Sequence, residues 1–345
     1  MNKTVLNKDF NPSGTGLNNG NFIGLPYSYE TANIILLPVP WDVTVSGDEG
    51  TAMAPASILN VSRQLDLLDV DIRDAWKLGI YMAPVNQNIM NERNTLRPKA
   101  FGDIDKIDNG DINISSCELD KVNEGCAKLN SLIFSESKKV IEAGKICGVV
   151  GGDHSVSLGL VQALGDFYQS FGILQIDAHM DLRKSYQGFI WSHASAFYNI
   201  LKEKSVSKLV QVAIRDFCEE EAEMVHAETG RVEVFFDHDL QEKKFNGVLW
   251  GVICEEVVAQ LPENVYISVD LDGLDPKLCP NTGTPVPGGV DYGELLYLFR
   301  KVIQSGKKII GFDVCESGND NWDANVAARI IYKLSNLAGR SQGFI

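Results

Sequence analysis

The strongest constraint on this chain is a repeated alternation. Short apolar runs rich in β-branched residues fall at 33–37, 146–150, 172–176, 208–214, 232–236, 265–269 and 308–314. Between most of them lie stretches with helical spacing, at 118–143, 155–168, 193–202, 219–228, 292–303 and 323–337. Strands that read as continuous apolar runs are buried on both faces. Alternating with helices, they form a parallel sheet between helical layers. The pattern predicts an α/β fold. No linker or shift in composition divides residues 31–345, which predicts one domain, preceded by an irregular, Asn/Gly/Ser-rich arm or pocket-edge segment over 1–30. The Asn/Asp-rich stretch 86–116 reads as a long surface excursion.

In parallel sheets of this kind, ligands bind at the carboxyl ends of the strands. Four of the predicted strands end in groups suited to that task. The run 146–150 leads into Gly151-Gly152-Asp153-His154-Ser155, and 172–176 leads into Asp177-Ala178-His179-Met180-Asp181. The run 265–269 leads into Asp270-Leu271-Asp272, and 308–314 is followed by Glu316. In extended backbone, residues two apart point the same way, so Asp177, His179 and Asp181 converge, as do Asp270 and Asp272. A single D-x-D is commonly a turn or a helix cap. Here two of the chain's five histidines fall inside the same clusters. The six groups His154, Asp177, His179, Asp181, Asp270 and Asp272 contain four carboxylates, which cannot all stay ionised together without cations between them. Two divalent ions resolve the conflict. A carboxylate–imidazole set without thiolate suits Mn²⁺, with Zn²⁺, Fe²⁺ or Co²⁺ as competitors.

Charge narrows the classes of partner. With 31 Lys+Arg against 46 Asp+Glu, the formal net charge is −15, which disfavours nucleic acid and anionic lipid and suits a cationic ligand or metal ions. The seven cysteines form no C-x-x-C pair, which predicts free buried thiols in a reducing compartment. Neither a signal peptide nor a membrane-length apolar run is visible, so a cytoplasmic protein is expected.

GGDHS (151–155), DAHMD (177–181) and SVDLDGLDP (268–276) resemble the three signature blocks of the arginase–agmatinase, or ureohydrolase, family. The likeness runs from about residue 33 to the C-terminus. It implies a three-layer α/β/α fold with a mostly parallel sheet of about eight strands. It also implies two Mn²⁺ per subunit: His154 and Asp181 on one, His179 and Asp272 on the other, Asp177 and Asp270 bridging. The ions would acidify a shared water, with Asp181 accepting its hydrogen bond and aiming it at a guanidinium carbon. Urea and an amine would result. By the same resemblance His193, in Trp191-Ser192-His193-Ala194, would shuttle a proton to the leaving amine, and Glu316 would grip the guanidinium.

The stretch from Asp181-Leu182-Arg183 through Tyr186 and Gly188 to Ser192-His193-Ala194 resembles agmatinase-type members. It makes Arg183 a candidate substrate-binding residue. Arginases usually carry Asn where Arg183 stands and Asp at about Cys218, so arginine is disfavoured. Agmatine is the first expectation. Guanidinobutyrate, guanidinopropionate, guanidine, arginine and formiminoglutamate are the alternatives. The first loop, from Pro38 through Thr51, departs from the family wording at Asp48-Glu49, and both the N-terminal arm and the 86–116 stretch are expected near the pocket mouth. Family members commonly form trimers or hexamers, so a homo-oligomer is expected. Two rivals come from other classes. A two-metal phosphoesterase usually needs more histidines than this chain supplies, and a non-catalytic paralogue would not need the full set of ligands.

Overall fold

A computed structural model describes residues 10–47, 49–111 and 116–345. Three parts of the expectations above lie outside it: residues 1–9 of the arm, Asp48 of the first loop, and residues 112–115. In chain order the elements are β1 (Ile34–Val39), α1 (Ala54–Ser62), β2 (Ile80–Met82), α2 (Gln87–Asp108), α3 (Ser116–Glu142), β3 (Ile146–Gly151), α4 (Ser157–Gly165), β4 (Phe171–Ile176) and α5 (Ala196–Ile200). There follow β5 (Val206–Ile214), α6 (Glu219–Ala227), β6 (Val232–Phe236), α7 (Asp237–Phe245), α8 (Trp250–Ala259), β7 (Asn264–Asp270), α9 (Tyr292–Gln304), β8 (Lys308–Cys315) and α10 (Asn321–Ser341).

The strands form one eight-stranded sheet in the order β2-β1-β3-β8-β7-β4-β5-β6, and every pairing is parallel. Helix contacts fall into two series, α1-α10-α9-α8 and α2-α3-α4-α5, which make the outer layers of an α/β/α sandwich. The expected three-layer fold is observed. Strands β1, β3 and β4 are buried at every position, whereas edge strand β6 is half-exposed over most of its length. That contrast is why the central strands read as unbroken apolar runs. No helix among the described residues is long and apolar enough to cross a membrane.

Two expectations change. Within the stretch 86–116, Gln87–Asp108 is no loop but α2, with Asn86 as its N-cap and Pro98 inside it. Of the arm, residues 10–30 do not border the cleft described below; they turn instead toward the β2 edge. There the fully buried side chain of Asn21 accepts from Met82 N (2.9 Å) and donates to Ile80 O (3.1 Å). One carboxamide thus occupies the place of a ninth strand and closes an edge that would otherwise be open to pairing.

Candidate metal centre and substrate cleft

The strand order makes β3, β8, β7 and β4 consecutive neighbours, so their carboxyl ends share one short stretch of rim. His154 follows β3, Glu316 follows β8, Asp270 and Asp272 end β7, and Asp177, His179 and Asp181 follow β4. All six candidate ligands meet there, and all but His179 are buried. His154 Nδ1 lies 3.0 Å from Asp177 Oδ2, 3.0 Å from Asp181 Oδ2 and 3.4 Å from Asp270 Oδ2. His179 Nδ1 lies 3.0 Å from Asp272 Oδ2 and 3.7 Å from Asp177 Oδ1. The two oxygens of Asp177 therefore face different histidines. Two ligand triads result, His154–Asp177–Asp270 and Asp177–His179–Asp272, joined through that carboxylate.

The cage is held by its own backbone and by a layer behind it. Ala178 N donates to Asp272 (3.0 Å), Asp272 N to Asp270 (2.8 Å), and Gln175 Nε2 to Asp177 (2.8 Å). Gln175 is itself fixed by Gln211 at 2.7 Å. His154 Nε2 lies 2.8 Å from Ser268 Oγ, and Ser268 donates its only hydroxyl proton to Asp313 at 2.8 Å. Ser268 must then accept from His154 Nε2, which turns Nδ1 toward three carboxylates. Burial disfavours the imidazolium, yet bonds to Asp177, Asp181 and Asp270 outweigh it and raise the pKa well above the ordinary imidazole value, so without a metal Nδ1 holds a proton. Only a cation makes such an arrangement favourable, and a carboxylate–imidazole donor set fits hard to borderline divalent metals.

The electrostatics agree. Burial, reinforced by Asp181 and Asp272, pushes the Asp177 carboxyl up to about 7, and burial beside Asp272 raises Asp270 well above the carboxylate range. Burial disfavours the His179 imidazolium, yet Asp272 and Asp177 outweigh it and hold its pKa at about 10. The cage attracts positive charge wherever it can find it. Two of its residues also carry backbone strain: Asp181 at φ 56° and Glu316 at φ 59° sit in the left-handed region.

Glu316 accepts from His154 N at 3.0 Å through Oε1, while its buried Oε2 has no partner. Burial, with Asp270 and Asp153 nearby, raises its pKa strongly, so this carboxyl also calls for a cationic partner. Above the cage opens a cleft of about 250 Å³, walled by Ser46, Arg183, Tyr186, His193, Asp216 and Thr284, with His179 and Asp181 reached from it. Glu316 does not line this cleft. Burial lowers the His193 pKa to about 4, so its ring is neutral at pH 7, and its buried Nδ1 has no partner among the described residues. Arg183 stacks over Tyr186 at 5.0 Å and lies 3.7 Å from buried Glu221, whose charge offsets its own. Cys218 caps α6, its N–H donating to Glu221 at 2.9 Å.

Sequence reasoning did not single out Ser268, Asp313, Gln175 or Asp216. The first three had a signal: each is a polar residue interrupting an otherwise apolar strand, which requires a buried partner.

Residues 32–335 match the model of the arginase family. The chain is 32% identical over 321 residues to the N(1)-aminopropylagmatine ureohydrolase of Thermus thermophilus, covering 92% of this chain and 94% of that one. It is 28% identical over 305 residues to an agmatinase of Neisseria meningitidis, covering 87% and 85% of the two chains. The crystal structure of the agmatine ureohydrolase of Thermoplasma volcanium superposes with a TM-score of 0.72 at 22% identity, over 95% of this chain and 97% of that one. With the signature blocks converging on one rim of the expected sheet and the match spanning nearly the whole chain, this protein belongs to the arginase family.

Proposed function

We propose that this protein is a two-metal ureohydrolase that cleaves a small cationic guanidino compound to urea and an amine, with agmatine the first substrate. The observation that carries the reading is the pair of ligand triads sharing Asp177 beneath an acidic cleft. Manganese is the metal we favour; His154, Asp177, Asp181 and Asp270 would hold one ion, and Asp177, His179, Asp270 and Asp272 the other. When bound, the ions supply water that is acidic enough to ionise near neutral pH.

The chain's own groups do the rest. Asp181 accepts a hydrogen bond from the attacking water and orients it. Glu316 offers the partnerless Oε2 to the planar guanidinium, whose N–H groups suit charge-assisted bonding to a carboxylate. Neutral His193 receives a proton and returns it to the departing amine. Arg183, countered by Glu221, and the exposed carboxylate of Asp216 leave the cleft wall without free positive charge. That favours a cationic tail over the carboxylate of arginine. The Thermus relative is named for a longer, more cationic guanidine, so N(1)-aminopropylagmatine belongs beside agmatine in the test. A cytoplasmic homo-oligomer, trimer or hexamer, organised as one catalytic domain over 31–345, completes the proposal.

The test is urea release by Mn²⁺-loaded protein across agmatine, N(1)-aminopropylagmatine, guanidinobutyrate, guanidinopropionate, guanidine and arginine, and formamide release from formiminoglutamate. Asp177→Asn serves as the control that breaks the bridge. Turnover of agmatine or its aminopropyl derivative is expected, with Asp177→Asn inactive and depleted in metal. Turnover of guanidinobutyrate or arginine alone would overturn the substrate and keep the chemistry. The absence of urea from all six guanidino compounds, and of formamide from formiminoglutamate, would overturn both.

A further inference from the structure

Two walls of the cleft are held from one place outside it. Arg97 of α2 is buried, and its Nη1 donates to Val43 O (3.1 Å) and Val45 O (2.8 Å), while its guanidinium pairs with Glu49 at 3.0 Å. One turn earlier, Arg93 Nε bonds Asp42 at 2.6 Å. Asp42, fully buried, also accepts from Gly50 N and Ala52 N. These bonds fix the loop that carries Ser46 to the cleft. Next to it, Gly47 packs so closely on Gly283 that a Cβ would stand 2.3 Å from its carbonyl oxygen, so the Thr284 wall leans on the same loop.

The other wall is fixed by α3 and the end of α2. Tyr186 and Phe189 exchange backbone hydrogen bonds around Gln187 and Gly188, both at positive φ, which makes a tight two-residue turn. Asn123 of α3 accepts from Ile190 N (3.0 Å) and donates to Gly188 O (3.4 Å), Leu119 packs on Gly188, and Gln187 Nε2 donates to Asp108 at 3.1 Å. This turn presents Tyr186, with Arg183 stacked on it. Helices α2 and α3 are themselves locked together by Lys99–Glu118 (2.6 Å) and by the close approach of Leu96 to Gly125.

We propose that the α2–α3 pair is the positioning element of the substrate cleft, with Arg97 setting the Ser46 wall and Asn123 setting the Arg183–Tyr186 wall. The meaning of the cleft rests on the proposed function; the mechanical claim does not. Neither residue reaches the metal cage. Their loss therefore moves the part of the site that grips the substrate's tail and spares the part that does the chemistry.

The variants are Arg97→Lys, which keeps the charge but has one nitrogen in place of the three that serve Glu49 (Nε and Nη2) and the Val43 and Val45 carbonyls (Nη1), and Asn123→Ala. Asn123→Asp, which keeps the acceptor for Ile190 N, is the conservative rescue. With unfolding midpoint and metal content checked against the parent, KM for the best substrate is expected to rise about tenfold in Arg97→Lys and Asn123→Ala, with kcat within about twofold. Asn123→Asp should recover most of the loss. Amide hydrogen exchange supplies a readout that needs no substrate: faster exchange over 43–52 in Arg97→Lys and over 186–190 in Asn123→Ala. Unchanged exchange in those segments overturns the inference even if the protein turns over no guanidino compound. An unchanged KM, or a fall in kcat with loss of metal, overturns it as well. If Arg97→Lys fails to fold, Asn123→Ala and its rescue decide.

Discussion

Replacing Ser268 with alanine removes one oxygen and, by the geometry above, weakens a proposed metal ligand it never touches. In the parent, Ser268 Oγ accepts from His154 Nε2 at 2.8 Å. In Ser268→Ala the next acceptor, Asp313 Oδ1, is 3.7 Å from that nitrogen, too far for a hydrogen bond. A buried donor left unpaired costs about 1–3 kcal/mol. The ring escapes that cost by giving up its Nε2 proton and keeping the one on Nδ1, which faces three carboxylates. An ion that takes Nδ1 must then send a proton back to an unpaired Nε2, so Mn²⁺ affinity should fall about 10- to 100-fold, the range found for lost partners of metal-binding histidines. Calorimetric titration of metal-stripped protein measures this directly. The dependence of urea release on Mn²⁺ concentration should shift by the same factor, with near-parental kcat at saturating metal. Unchanged affinity together with a reduced kcat would refute the tautomer argument.

Other perturbations probe the frame around the site. Gly152→Ala would set a Cβ 1.8 Å from Trp41 O, where the ends of β1 and β3 meet, and should cost about 3 kcal/mol or prevent folding, read from chemical unfolding and soluble yield. Lys333 of α10 bonds Asp69 (2.7 Å) and Asp71 (2.5 Å), with the Asp69 side chain only 4% exposed. Lys333→Met should cost about 3 kcal/mol in urea unfolding, the low end for a broken buried pair, because Asn336 and Arg300 still reach the two carboxylates. Hydrogen bonds from Lys121 and Lys99 lower the Glu118 carboxyl to about 2. A group depressed in this way stabilises the fold above its ordinary value of about 4.5 and loses that contribution as pH falls toward 2. Glu118→Gln should therefore flatten the acid limb of the stability curve between those pH values, and side-chain NMR should show the parental carboxyl titrating near the lower one.

How much of this was readable depended on whether a residue's role is local. The six proposed ligands announce themselves because each follows a buried apolar run, and all but His154 recur at a spacing of two, which places neighbours on one side without any tertiary information. The seven recognised strands were legible for the same reason. Strand β2 was not: Ile80–Met82 is three residues long and exists because β1 and Asn21 flank it. Helix α2 was hidden by its polar composition and by Pro98, and its apolar face is supplied only by α3. Helix α8, Trp250–Ala259, begins as an apolar run that periodicity cannot separate from a strand. Arg93, Arg97 and Asn123 look like ordinary surface residues of polar segments, since the partners named above lie 48–67 positions away and only packing selects them. Pairings of that kind leave no trace in spacing.

The order of strands in the sheet has a bearing on how the molecule is made. Strands β3 and β4, which bring His154, Asp177, His179 and Asp181, are separated in the sheet by β8 and β7, the last two strands to leave the ribosome. A nascent chain that has emerged as far as β6 holds four of the six ligands and has no means of bringing the first beside the other three. Capture of ions thus waits for nearly the entire polypeptide, and pairing across such long sequence separations is slow. Truncation near the C-terminus, though distant in sequence from GGDHS and DAHMD, would be as damaging to the centre as cutting out a ligand, because β8 is the wedge on which both halves close.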